Sequence, residues 1–335
     1  MGGERKHKMT EKNIKEKLSE VFSTSYSAQV YFVLKKDSGF VLRLADFENK
    51  NTELEIRKLF SEYICETIIK NENLKICELS TDDEQSNAIY HYDYDEYPEE
   101  LSLFNNFCLD DVIDEVQKFD FSKDDLRTLR GYIIYLGSMD NGMMLFKQHY
   151  PILLIKRDSF LFGVKKSKKR FEKLDIEDII RLNGTVQLIC IEGEMYVLDL
   201  KVLEKNLGFT QLILNAAKDT VEIIKSLDLI EDIEVLNDSV EEIAFARKLS
   251  KVKTSSPVIK NKIPKKVIVN FTKTNPALKG TFKYSDDGQK IRLDTKKSKL
   301  NFLKVLNDSF LYSQLTEQYY EALAKDDISA VNKNV

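Results

Sequence analysis

Asp199 and Lys201 stand two residues apart at the end of an apolar run, YVLDLKV. That spacing fits the acid-x-lysine half of a Mg2+-dependent nuclease site, in which carboxylates hold the metal and the lysine assists the attacking water. Such a site needs a second acid on a neighbouring strand, and Glu192, Glu194 and Asp178 are the candidates. The competing reading is conformational: an Asp directly before Leu200 caps a short helix by accepting backbone N–H bonds. We favour the cap and keep the nuclease as the alternative, because the pattern is short and the second acid has no motif of its own.

Other catalytic chemistry has less to stand on. The three histidines are His7, in a basic N-terminal stretch, and His91 and His149, which flank tyrosines in apparent strands and have no evident partner. The chain lacks H-E-x-x-H, G-x-x-x-x-G-K-[ST] and any Cys–His pairing, which argues against zinc hydrolases and P-loop NTPases. Cys65, Cys77, Cys108 and Cys190 lie far apart without metal spacing and read as free thiols of a reducing compartment. Asp93, Asp95 and Glu96 could share a strand face around a cation, but no glycine turn or regular ligand spacing supports them. No cofactor and no resident metal are expected.

Charge is the stronger signal. The net charge of -4 hides two opposed blocks: Glu72 to Asp125 holds about 17 acids against about 3 bases, and Arg247 to Lys304 about 17 bases against about 3 acids. In the basic block, Lys262, Lys265, Lys266, Lys273, Lys279 and Lys283 precede a closing helix that Lys296, Lys297 and Lys299 open, with Lys304 returning to its face. Lysines spread over several elements can follow a phosphate backbone without reading bases. A second cluster comprises Lys165, Lys166, Lys168, Lys169 and Arg170. The alternatives are a solvated face, docking of the basic block onto the protein's own acidic one, or a scaffold whose charged surfaces bind only protein.

The elements that must carry these residues mix helix and strand. Helices are expected over Thr10–Phe22, Thr52–Lys70 (with Leu54, Leu59, Tyr63 and Ile64 inward and Ile56 and Phe60 broadening the stripe), Asp111–Phe119, Thr210–Leu227 and Val235–Leu249. AQVYFVLK, GFVLRLAD, LKICEL, AIYHYDY, GYIIYLG, GMMLFKQHY, SFLFGV, TVQLICI and EMYVLDL read as strands, with Asn141-Gly142 and Glu192-Gly193 marking hairpins. A short β-pair surrounds DDGQ, and Asp294 or Thr295 caps a last helix whose stripe is Leu300, Leu303, Leu306 and Phe310. The expectation is an α+β protein: an N-terminal α/β portion (1–128), a central mainly antiparallel sheet with helices (129–254), and a helical, basic C-terminal portion (255–335). Gly and Pro number only 12 and 5, so long flexible linkers are not expected. No run approaches the roughly 20 apolar residues of a membrane span, and MGGERKHKMTEKN has no apolar core of a secretion signal.

Three stretches carry a family likeness: HYPILLIKRDSFLFGV, LNGTVQLICIEGEMYVLDLKVLEKNLGF and DTKKSKLNFLKVLNDSFLYSQLTEQYYEALAK. Together they resemble the KwaB-like proteins of the bacterial Kiwa anti-phage system over roughly Tyr132 to Lys325. The run from Thr295 to Tyr319, FLKVLND followed by S-x-L-T, is the most specific part. The resemblance implies a cytoplasmic protein at the inner face of the membrane beside a small membrane-protein partner (KwaA-like). It also implies self-association, most simply as a homodimer, together with DNA binding and restraint of phage replication. Its signatures are structural and name no catalytic residue.

Overall fold

The computed structural model describes residues 9–24, 28–80, 84–109, 116–138, 141–150, 155–156, 159–160, 164–166, 171–173 and 182–322. They form two compact units: Met1–Glu78 with Glu84–Gly208, and Leu79–Asp83 with Phe209–Val335. The class is α+β.

The first unit runs α1 (Glu11–Thr24), β1 (Ala28–Lys36), β2 (Gly39–Leu44), α2 (Lys50–Ile64), a π-turn (Cys65–Ile69), β3 (Lys75–Glu78), β4 (Ala88–His91), α3 (Glu99–Leu109), β5 (Leu129–Ser138) and β6 (Asn141–Gln148). Four short strands follow, β7 (Ile155–Lys156), β8 (Ser159–Phe160), β9 (Val164–Lys166) and β10 (Phe171–Lys173), paired two by two. The unit ends with β11 (Leu188–Ile191), β12 (Glu194–Val197) and α4 (Leu200–Asn206). Among the described residues, eight strands make one sheet in the order β2-β1-β5-β6-β11-β12-β4-β3, antiparallel except for β4 and β3. The sheet therefore takes strands from both sides of residue 128.

Both faces of its central strands are covered, so those strands read as apolar runs without strict alternation. Val30, Phe32 and Leu34 of β1, Tyr132 and Ile134 of β5 and Ile189 of β11 share a core with Ile14, Leu18 and Val21 of α1. The same core takes Ile56, Phe60 and Ile64 of α2 and continues to Ile68 through the π-turn. Ile56 and Phe60, expected only to broaden the stripe, form its centre with Ile64, while Leu54 is exposed. On α3, Phe104 meets Phe146 edge-on at 5.8 Å.

Two local expectations shift and a third holds. The described part of the expected Asp111–Phe119 helix is extended: Phe119 N–H donates to Leu44 O at 2.9 Å, and its ring meets Phe32 at 5.6 Å. The β5–β6 reversal lies between Ser138 and Asn141, which leaves Asn141-Gly142 in the strand. Glu192 and Gly193 do form their turn, with φ of 52° and 75°, as a type I′ reversal requires.

The second unit consists of α5 (Phe209–Ser226), α6 (Glu234–Val240), α7 (Ile243–Ser255), α8 (Pro257–Lys260), α9 (Lys265–Thr274), the hairpin β13 (Lys283–Tyr284) and β14 (Ile291–Arg292), α10 (Lys296–Leu306), and the hairpin β15 (Phe310–Ser313) and β16 (Gln318–Glu321). The expected helix over 235–249 is broken at Glu242, whose extended backbone starts α7. Thr295 and Ser298 form a capping box, each side chain accepting the other's backbone N–H at 3.0 Å. The buried stripe of α10 is Phe302, Leu303, Val305 and Leu306. Phe310 lies outside it: Asp308 takes φ 52°, a conformation Asn and Asp tolerate, and the chain leaves the helix for a strand.

At one edge of the large sheet sits a buried charge. His91, 2% exposed, faces Glu194 through Nε2 at 2.8 Å and Glu78 through Nδ1 at 3.3 Å. Burial opposes its protonation, but the hydrogen bonds to Glu194 and then Glu78 outweigh it and raise the pKa to about 9. A folded pKa above the unfolded value of about 6.5 contributes stability that is complete below that value and lost as pH rises through the folded one. The shift corresponds to at most about 3 kcal/mol. Urea unfolding between pH 6.5 and 9 is thus expected to show falling stability, and His91→Gln to flatten that slope; a wild-type slope retained in the variant would place its origin elsewhere.

Candidate nucleic-acid interface

The ten candidate lysines between Lys262 and Lys304, together with Lys290, all fall on the second unit, along α9, the β13–β14 hairpin, α10 and the turns between them. The structure sorts them by what they already hold. Lys265 lies 2.6 Å from Asp228, which Lys290 meets from another side at 2.5 Å; these two hydrogen bonds push the Asp228 carboxyl down to about 2. Lys283 pairs with Asp294 at 2.8 Å, Lys296 with Glu242 at 2.5 Å and Lys304 with Glu321 at 2.6 Å. Lys299 donates to Ser239 Oγ at 2.7 Å. Lys273 donates to Gly288 O at 2.6 Å and covers the Tyr284 ring at 4.8 Å. Lys262, Lys266, Lys279 and Lys297 are exposed and, among the described residues, hold no such partner.

This division changes what the basic block can do. An exposed pair is worth about 0–1 kcal/mol, so a phosphate can displace the acid at small cost. The four unpartnered lysines bear no such cost. The block's charge is therefore smaller, as a phosphate would meet it, than residue counts indicate. Of the second cluster, Lys165 and Lys166 lie on β9, while Lys168, Lys169 and Arg170 fall outside the described residues.

The nuclease candidates are not brought together. Asp199 precedes α4 with an extended backbone, and its Oδ1 accepts the Val202 N–H at 3.0 Å. Lys201 is exposed in the first turn of that helix. Glu194 faces His91 at the opposite end of β12, roughly 16 Å along an extended strand from Asp199. Glu192 pairs with Lys17 at 2.9 Å, and Asp178 falls outside the described residues. Asp93 and Asp95 lie beyond the end of β4, and no group of three or more His, Cys, Asp or Glu suited to a metal is found among the described residues.

Two polar clusters escaped the sequence reading. Both histidines assigned no partner have one: His91 as above, and His149, whose Nδ1 lies 2.6 Å from the Tyr132 hydroxyl. Burial, then Arg130 and Lys147, keep the His149 imidazole below its ordinary pKa. Lys147 is buried and pushed down to about 8, yet its three N–H groups meet Thr185 O at 2.9 Å, Thr185 Oγ1 at 3.1 Å and Asn183 Oδ1. With three acceptors for three donors it clamps the 183–185 turn to β6. A charged residue inside an apolar strand, as in MMLFKQ, was the available signal; its partners depend on long-range register.

Asp199 offers a direct test of cap against ligand. Asp199→Ala is expected to cost about 1 kcal/mol in chemical unfolding and Asp199→Asn much less, since Asn caps nearly as well. A metal ligand would lose Mg2+-dependent cleavage in both variants and show no such ordering in stability.

The family model described as Kiwa protein KwaB-like matches residues 126–316. Kiwa protein KwaB of Escherichia coli O55:H7 (strain RM12579 / EPEC) is 29% identical over 323 residues, covering 95% of this chain and 99% of that protein. No solved structure matches. The family match runs from just before β5 into the β15–β16 hairpin and so takes in the basic block as well as four of the eight strands of the large sheet. Spanning more than half of the residues, it establishes that the chain belongs to the Kiwa protein KwaB-like family.

Proposed function

We propose that this protein, which has a role in anti-phage defence through its family, binds DNA with little sequence preference through the lysines of its second unit. The observation that carries the reading is the set Lys262, Lys266, Lys279 and Lys297, exposed and unpaired in a block of about 17 bases against about 3 acids. Lysine is a compact point charge without the planar fork that reads guanine, so it follows the phosphates. Binding would restrain phage replication by occupying the template, in company with a small membrane-protein partner (KwaA-like) at the inner face of the membrane. We also propose that the protein self-associates, most simply as a two-fold dimer. The four lysines with no acid to release would carry most of the affinity. Among the described residues no helix is long and apolar enough to cross a membrane, so attachment would run through the partner.

Electrophoretic shift or anisotropy at several salt concentrations tests this. Four phosphate contacts give a log–log salt slope of about -4, and replacing the four unpaired lysines with alanine should remove most of it. Alanine at the paired Lys265, Lys283, Lys296 and Lys304 should remove less than half as much. Equal effects from the two sets, or no binding by the wild type, would overturn the assignment.

The acidic block supports a second expectation. Several of its acids are used internally: Glu78 on His91, and Asp124 on Lys36 and Arg43 at 2.6 and 3.0 Å. Asp95 and Glu96 are exposed and Asp93 is half-buried, so they can compete with phosphate for lysines in cis or across a dimer. Asp93→Asn, Asp95→Asn and Glu96→Gln together should tighten DNA binding, most at low salt. An unchanged affinity would mean that the block is merely solvated.

A further inference from the structure

The β15–β16 hairpin is built to be covered. Among the described residues its strands pair only with each other, Leu311 opposite Tyr320 and Tyr312 opposite Tyr319. Successive residues of a strand point to opposite faces, so the ribbon carries large apolar or aromatic side chains on both sides. Leu311, Tyr312, Tyr319 and Tyr320 are all exposed, and Leu315 at the reversal is 94% exposed. Soluble surfaces rarely gather so many such side chains without a partner. From Phe310 to Ala322 there is no Lys, Arg or His. Glu321 is held by Lys304, while Glu317, among the described residues, has no partner.

The same unit carries a concavity of the opposite character. Val258, Ile263, Val267, Phe271 and Val305 line an apolar groove of about 230 Å3, large enough for a leucine or tyrosine side chain. Val267 is 55% exposed there even with the hairpin in place, so the protomer's own hairpin does not fill it. The segments that line it also carry Lys262 and Lys266, two of the unpaired lysines. Val305 belongs to the groove and Phe310 begins the hairpin, so the two surfaces are joined by five residues of chain.

We propose that the β15–β16 hairpin of one copy docks into the apolar groove of a second copy, and reciprocally, with Glu317 facing Lys262 and Lys266 of the other chain. A reciprocal exchange about a two-fold axis near the end of α10 covers both hairpins and both grooves and leaves no open surface for further growth. Charge complementarity selects this occupant. The acidic hairpin is repelled by phosphate and attracted to Lys262 and Lys266, the two exposed lysines beside the groove, which outnumber the one acid of its lining, Asp308. The inference rests on the self-association proposed above and assigns its surface. It also places two of the candidate DNA lysines at the dimer contact, so dimerisation and DNA binding would compete for Lys262 and Lys266.

Sedimentation equilibrium on the full chain across the micromolar range provides the test. The wild type should be dimeric. Leu315→Ser with Tyr319→Ser, and separately Val267→Glu, should each raise the dimer Kd by about tenfold or more, with circular dichroism unchanged. All three positions are exposed, but a charge swap guards against misfolding. Glu317→Lys and Lys266→Glu should each weaken the dimer, and the two in one chain should restore most of the loss. A monomeric wild type overturns both this surface and the self-association reading. A dimeric wild type with unweakened variants, or swap mutants that fail to compensate, overturns the hairpin–groove surface alone.

Discussion

Strands β1, β5, β6, β11 and β12 bury side chains on both faces, and that requirement decides where the rest of the first unit goes. Helices α1 and α2 cover one face through Ile14, Leu18, Ile56 and Phe60, while Phe104 of α3 packs on Phe146. A doubly covered sheet also makes polar groups expensive unless each finds its partners inside. Lys147 meets three acceptors, His149 meets a tyrosine hydroxyl, and His91 is charged between two glutamates. Removing one member of such a group costs more than the group contributes, because the others stay buried and unpaired. These clusters thus hold register in strands whose apolar side chains alone specify it weakly.

Much of this architecture was legible locally. The strands at Ala28–Lys36 and Gly39–Leu44, the helix α1, and the Glu192-Gly193 reversal follow from apolar runs and turn residues. What could not be read was pairing between distant segments. Nothing in the sequence near His91 announces Glu194, a hundred residues on, because only the antiparallel match of β12 with β4 makes them neighbours. The last helix and its Thr295 cap were legible, but its extension to Phe310 was not, for a local reason. Leu300, Leu303, Leu306 and Phe310 fit a helical period, but the Asn307-Asp308 step breaks it and gives Phe310 to a strand. Its buried stripe keeps Leu303 and Leu306 of the expected set and adds Phe302 and Val305.

Charge was legible as a total and misleading as a surface. Counting bases predicted ten equivalent lysines, and among the described residues the structure distinguishes six that already hold a partner from four that do not. The difference matters most for kinetics and specificity. Paired lysines keep long-range attraction weak near their acids, while unpaired ones set the local field that an incoming anion meets. A surface of this kind associates quickly, responds steeply to salt, and carries no means of distinguishing one base pair from another.

The closing segment joins these strands of argument. A capping box fixes the start of α10, and four apolar side chains from Phe302 to Leu306 hold it to the second unit. On that held frame Lys296, Lys299 and Lys304 turn back to acids or a hydroxyl of their own unit, and Lys297 alone of the four projects without a partner. A lysine on a fixed helix loses less freedom on meeting a phosphate than one on a frayed terminus, since only the side chain remains to be ordered. The apolar residues near the end of the chain therefore do more than bury surface. They hold a sparse set of charges at constant spacing, which a flexible basic tail of the same composition cannot do.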